Sequence, residues 1–171
     1  MIERKIRDAI SDLIELYRID PYRWKNERFA HYDFFRILFD YFEPDEIRNY
    51  FRWEYPVGVP SYGSGRKSAA IDIVYEVDSE KWIAIEIELT GAGKSLEEEL
   101  IKCIAKLKSS PECKKHMYVG FIIPLTAREK HKRARGYGKS YEDLLKETVN
   151  RAKERIGDNP IEIITDGILL S

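Results

Sequence analysis

The stretch "WIAIEIELTG", residues 82–91, alternates with a period of two. Successive side chains on a strand point to opposite faces. Ile83, Ile85, Ile87 and Leu89 therefore share one wholly aliphatic face. Trp82, Ala84, Glu86 and Glu88 share the other. The pattern predicts a β-strand with two carboxylates about 7 Å apart along one face. Like charges so placed repel unless water or a cation lies between them.

Immediately upstream, "SAAIDIVYEV" (68–77) has strand composition and "DSEK" (78–81) reads as a tight turn. The pair predicts an antiparallel hairpin, which brings Asp72 beside Glu86 and Glu88. "RWEYPVG" (52–58) predicts a preceding strand, and "PSYGSGRK" (60–67) a Gly- and Ser-rich loop. Downstream, Ser95 and Glu98 form a predicted capping box for the helix "LEEELIKCIAKLK" (96–108). "HMYVGFIIP" (116–124) is a strongly apolar strand, expected to be central. A basic loop, "LTAREKHKRARGYGK" (125–139), leads to Ser140 and Asp143, a second predicted capping box. The helix "YEDLLKETVNRAKERI" (141–156) follows, closed by Gly157, and "IEIITDGILL" (161–170) predicts a final strand.

At the other end, residues 2–18 place Ile6, Ile10, Leu13, Ile14 and Tyr17 on one helical stripe. Pro21 breaks that helix. Asn26 caps a second one, "ERFAHYDFFRILFDYF" (27–42), predicted to end before Pro44. The order of elements predicts an α/β domain, a mixed β-sheet flanked by helices. A right-handed strand–helix–strand crossover is expected across 82–124. The whole chain, 1–171, reads as one domain: a helical extension (1–25), a core (26–124), then basic loop, helix and strand (125–171).

Charged residues make up 35% of the chain and Gln is absent, a profile suited to a thermophile surface. Net charge is −1, so an anionic partner must be met by a local patch. No window approaches a membrane span, and the opening "MIERKIRDAISDLIELYRI" is too charged for a secretion signal. Cys103 and Cys113 form no CxxC pair; reduced thiols in a cytoplasmic protein are expected.

Asp72, Glu86 and Glu88 can converge on a hard cation, and magnesium suits such oxygen ligands while keeping several waters. The segment "GRKSAAIDIVYEVDSEKWIAIEIELTG" (65–91) resembles the core of the PD-(D/E)xK nuclease superfamily, the restriction-endonuclease-like fold. Asp72 matches the family's first acid and Glu86 its second. The resemblance covers roughly residues 26–124, by order of elements more than by identity. It implies Mg2+, with Mn2+ as an alternative, held by Asp72 and Glu86. Glu27 matches an acid the family often carries in its first core helix. Glu54 matches a supporting acid on the first core strand. The family's lysine position holds Glu88 here, so either Glu88 takes that role or a lysine reaches in from Lys94, Lys102 or Lys106. Lys102, together with Asp72, Glu86 and Glu88, is the expected catalytic set.

The resemblance implies a DNA-cleaving enzyme, often a homodimer, with the apolar N-terminal helices available as an interface. DNA contacts are expected from Arg66, Lys67 and Lys94, and from Arg128, Lys132, Arg133 and Arg135 in the basic loop. Two other readings stand beside it: an inactive nuclease fold that binds nucleic acid or a protein partner, and an interaction protein with no nucleic-acid role.

Overall fold

The computed structural model describes residues 1–60, 68–76, 81–89, 94–114, 117–126 and 140–165. Three helices come first: α1 (Ile2–Ile19), α2 (Glu27–Leu38) and α3 (Pro44–Tyr50). Three strands follow: β1 (Phe51–Pro60), β2 (Ser68–Glu76) and β3 (Trp82–Leu89). Then come α4 (Lys94–Ser109), a 3-10 turn (Pro111–Lys114), β4 (Tyr118–Leu125), α5 (Tyr141–Ile156) and β5 (Ile161–Ile163).

The strands form one mixed sheet in the order β1-β2-β3-β4-β5. β1, β2 and β3 run as an antiparallel meander, while β4 pairs parallel to β3 and β5 parallel to β4. β3 pairs with β4 along its full length, from Trp82↔Tyr118 to Leu89↔Leu125. It is therefore an internal strand, which explains why an aliphatic face and a polar-bearing face are both covered.

The two-residue rhythm separates two cores. Ile83, Ile85 and Ile87 pack with Ile73, Tyr75, Phe121 and Ile123 against the helices α1–α3. Trp82 and Ala84 face the opposite way, with Val74 and Ile122, under the apolar stripes of α4 and α5. On α4 that stripe is Leu96, Leu100, Cys103, Ile104 and Leu107. Arg7 ties the first helix to the last strand: it pairs with Glu162 at 2.7 Å and lies over the Phe121 ring.

Several predicted boundaries change. The second helix ends at Leu38, four residues earlier than expected, and α3 was not foreseen. Pro44 does hold Glu43 in extended backbone, as the residue before proline must be. Yet the same proline starts α3, because its fixed φ suits a first helical turn. The Glu46 carboxylate accepts the Glu43 N–H at 3.0 Å. The final strand covers only Ile161–Ile163 among the described residues. The caps at Asn26 and Ser140 form as expected, accepting the N–H groups of Arg28 and Asp143. Among the described residues no helix is long and apolar enough to cross a membrane.

Candidate active site

The β2–β3 ladder closes the hairpin from Glu76↔Trp82 as far as Ile73↔Ile85. Beyond that point the two strands continue without pairing. Asp72 sits in the mouth of this fork. Its Oδ2 accepts the Ile87 N–H at 2.8 Å, so a side chain satisfies a donor that the ladder leaves open. Glu86, on the neighbouring position of β3, has no solvent exposure at all. Its face is not solvated: the Trp82 and Ala84 that share it are roofed by α4.

Glu86 Oε2 accepts a hydrogen bond from Lys106 Nζ on α4 at 2.7 Å. Glu86 Oε1 is buried and has no partner. Cys103, one turn before Lys106, points its Sγ at Glu88 Oε1 (3.0 Å), with Glu86 Oε2 at 4.0 Å. From the other side of the sheet, α2 brings His31 Nε2 to 3.5 Å from Asp72 Oδ2 and 3.7 Å from Glu27 Oε1. These His31 contacts are ion-pair distances without hydrogen-bond geometry, and Nε2 is buried without a hydrogen-bond partner.

Two groups of possible ligands result. Glu27, His31 and Asp72 offer atoms all within 4.8 Å of one another, and so do Glu86, Glu88 and Cys103. Four carboxylates thus face one lysine ammonium and one imidazole. Burial, then Glu88 and Asp72, push Glu27 up to about 7. Burial and Asp72 hold Glu86 well above the usual carboxylate range, against the pull of Lys106. Burial raises Glu88 as well, against the hydrogen bond from Cys103. Cys103 is raised by burial and by the two glutamates, which keeps it a neutral thiol. Burial alone would lower Lys106, but Glu86 and Asp72 outweigh it and hold the ammonium protonated. In His31, burial is likewise outweighed, by Asp72 and Glu27, so its pKa is raised.

The structure divides the three expected acids between the two groups: Asp72 stands with half-buried Glu27 and His31, Glu86 and Glu88 stand with Cys103, and the charge of Asp72 bears on both glutamates. Lys102 is not part of the cluster. Its ammonium is exposed and pairs with Glu99 at 2.6 Å. Both lysines lie off the apolar stripe of α4, but Lys102 is about 40° further round toward solvent. Lys106 lies nearer that stripe and reaches the sheet. His31 and Cys103 were not foreseen as site residues. The signal for His31 was its spacing of four from Glu27, which puts both on one side of α2. Lys94 opens α4, but its side chain lies outside the described residues, as do Arg66, Lys67, Arg128, Lys132, Arg133 and Arg135. Glu54 is in neither ligand group; it is exposed on β1, in left-handed backbone (φ 48°), and borders the same cleft as Asp72 and His31.

Compared with known proteins, the chain matches no family model, no curated sequence and no solved structure.

Proposed function

We propose that this chain is a metal-dependent endodeoxyribonuclease with the restriction-endonuclease-like arrangement of sheet and helices. The observation that carries the reading is a pair of acidic ligand groups at the unpaired end of the β2–β3 hairpin, Asp72 with Glu27 and His31 and Glu86 with Glu88 and Cys103, with Lys106 bonded to Glu86. The residues fit a hard divalent cation. Carboxylates outnumber cationic groups, and a buried carboxylate oxygen, Glu86 Oε1, has no protein donor. In this reading Asp72 and Glu86 hold Mg2+ or Mn2+, and Glu27 and His31 extend the ligand set. The ion supplies Lewis-acid stabilisation of phosphate charge and an activated water.

Lys106 takes the place of the lysine missing from the third strand. It reaches the same acid from the helix instead, and its protonated ammonium supplies a fixed positive charge to a phosphate oxygen. Glu88, raised above the usual carboxylate range, is suited to receive a proton from the attacking water. Asp72, anchored to the Ile87 N–H, holds its place without needing a ligand to organise it.

A second reading has its own support. Lys106 already neutralises Glu86, and Cys103 already donates to Glu88, so the acids are partly satisfied without a cation. On that reading the chain is an inactive nuclease fold that binds nucleic acid or a protein partner. The deciding experiment is cleavage of plasmid and branched DNA in Mg2+ or Mn2+ by the wild type, Asp72→Ala and Lys106→Met. Metal-dependent nicking that both variants lose supports the nuclease. A wild type inert on both substrates, yet binding DNA in a salt-dependent way, supports the inactive fold.

A further inference from the structure

Beside the acidic cluster lies a cleft of about 380 Å³ whose aromatic walls have no part in the chemistry above. It falls within the roughly 300–1,000 Å³ typical of small-ligand sites. Its walls are Tyr32 and Phe35 from α2 and Trp53 from β1, and its floor reaches Asp72 and His31. Tyr32 is 61% exposed and Trp53 37%, so both rings are open to a ligand. Phe35 meets the Trp53 ring edge-on, with centroids 5.2 Å apart and planes at 79°. That contact fixes the indole in place.

Arg28 also lines the cleft, and it makes no ion pair with any described residue. The sequence of α2 explains the layout. Glu27 and His31 are four apart and face Asp72. Arg28, Tyr32 and Phe35 follow the same spacing one position later, so they form a second stripe about 100° around the helix. One helix therefore presents metal-ligating groups on one stripe, and aromatic rings with a free cation on the next. Glu54 completes the rim from β1. Its left-handed backbone is a strained conformation for a residue other than glycine.

We propose that this cleft holds an unpaired nucleobase of single-stranded DNA, next to the phosphate that the acidic cluster engages. The inference rests on the nuclease reading and names its substrate class. A ring can stack on a base only where the base face is uncovered, which in a paired duplex it is not. Tyr32 and Trp53 supply stacking surfaces, and Arg28 supplies the charge that a neighbouring phosphate requires. The Glu54 carboxylate accepts from the exocyclic amine of a base edge. The mixture of Arg28, His31, Asp72 and Glu54 among the rings matches a nucleotide better than the apolar face of a second copy.

The test is equilibrium binding of a short oligodeoxycytidylate, whose bases carry the exocyclic amine that Glu54 accepts, and of a duplex of equal length, in Ca2+. Tryptophan fluorescence and anisotropy are read for the wild type, Tyr32→Ala and Trp53→Phe, with thermal melting confirming that each variant is folded. The expected result is tighter binding of the single strand than of the duplex by the wild type. Tyr32→Ala should weaken the single-strand complex about tenfold and leave duplex binding unchanged. Trp53→Phe should bind the single strand more weakly than the wild type but more tightly than Tyr32→Ala, and lose most of the fluorescence quenching. Equal binding of the two oligonucleotides overturns the inference, as does an unchanged single-strand affinity in Tyr32→Ala. So does a Tyr32→Ala effect confined to self-association in sedimentation. Duplex nicking with no single-strand preference leaves the nuclease standing and sinks only the cleft. Single-strand binding through Tyr32 without any cleavage does the reverse.

Discussion

Replacing Lys106 by Met tests the centre of the site through stability alone. The substitution keeps most of the aliphatic stem and removes the Nζ that lies 2.7 Å from Glu86 Oε2. Glu86 has no exposure to solvent, and its other oxygen has no partner. Removing one member of a buried pair costs about 3–5 kcal/mol when the remaining group stays charged. Glu86 can escape part of that cost by taking up a proton, and a neutral, unpartnered carboxyl costs about 1–3 kcal/mol. The loss should therefore depend on pH. In the variant the folded-state pKa of Glu86 rises further above its unfolded value. The folded state then binds more protons than the unfolded, so stability falls as pH rises. We expect a cost of about 3 kcal/mol at pH 8 and about 1 kcal/mol near pH 5. At pH 8 that is a fall in Tm of about 6–12 °C for a domain of this size. Urea or guanidinium titration at the two pH values, in EDTA, measures it, and adding Glu86→Gln should recover much of the loss. A cost below about 1 kcal/mol at both pH values would mean that Glu86 does not depend on Lys106, and the proposed role of the lysine would fall with it.

Two further outcomes follow, one from the site and one from the packing of α4 on the sheet. Glu27 sits at about 7 when folded against an ordinary 4.5, so it disfavours the metal-free fold increasingly as pH rises through that window. Thermal melts in EDTA should show Tm falling from pH 5 to pH 7.5, and Mn2+ should raise Tm more at pH 7.5 than at pH 5, because binding displaces protons; a Tm that is flat or rises over this range refutes it. Away from the site, a Cβ at Gly120 on β4 would meet Ile161 Cγ1 at 3.1 Å, Leu107 Cδ1 at 3.2 Å and the Tyr118 hydroxyl at 3.3 Å. Gly120→Ala should cost about 1–3 kcal/mol by overpacking, readable in a denaturant midpoint, and a neutral result would show that α4 can draw back from the sheet.

The alternation in residues 82–89 was enough to place β3, assign its two faces and single out Glu86 and Glu88. Pairing it with residues 68–77 across a short turn was enough to bring in Asp72. Local pattern governs both inferences, because strand period and hairpin register are short-range properties. Which lysine reaches the sheet was not legible. Lys102 and Lys106 lie about 40° apart on α4, and only the way the helix packs on β3 separates them. His31 was hidden for a related reason: its spacing from Glu27 is visible, but that α2 lies over Asp72 is a tertiary fact. The short helix α3 was missed because Pro44 marks the end of one helix and the start of the next with the same residue.

The fork between β2 and β3 has a wider consequence. The sheet carries α1, α2 and α3 on one side and α4 and α5 on the other. Where pairing stops, Asp72 stands between a histidine from one layer and a lysine–glutamate pair from the other, and its charge bears on both. The site is thus the place where the two halves of the molecule are in electrostatic register. A small slide of either helical layer, too slight to unfold anything, would be felt there first, as a loss of alignment among charges rather than a loss of structure.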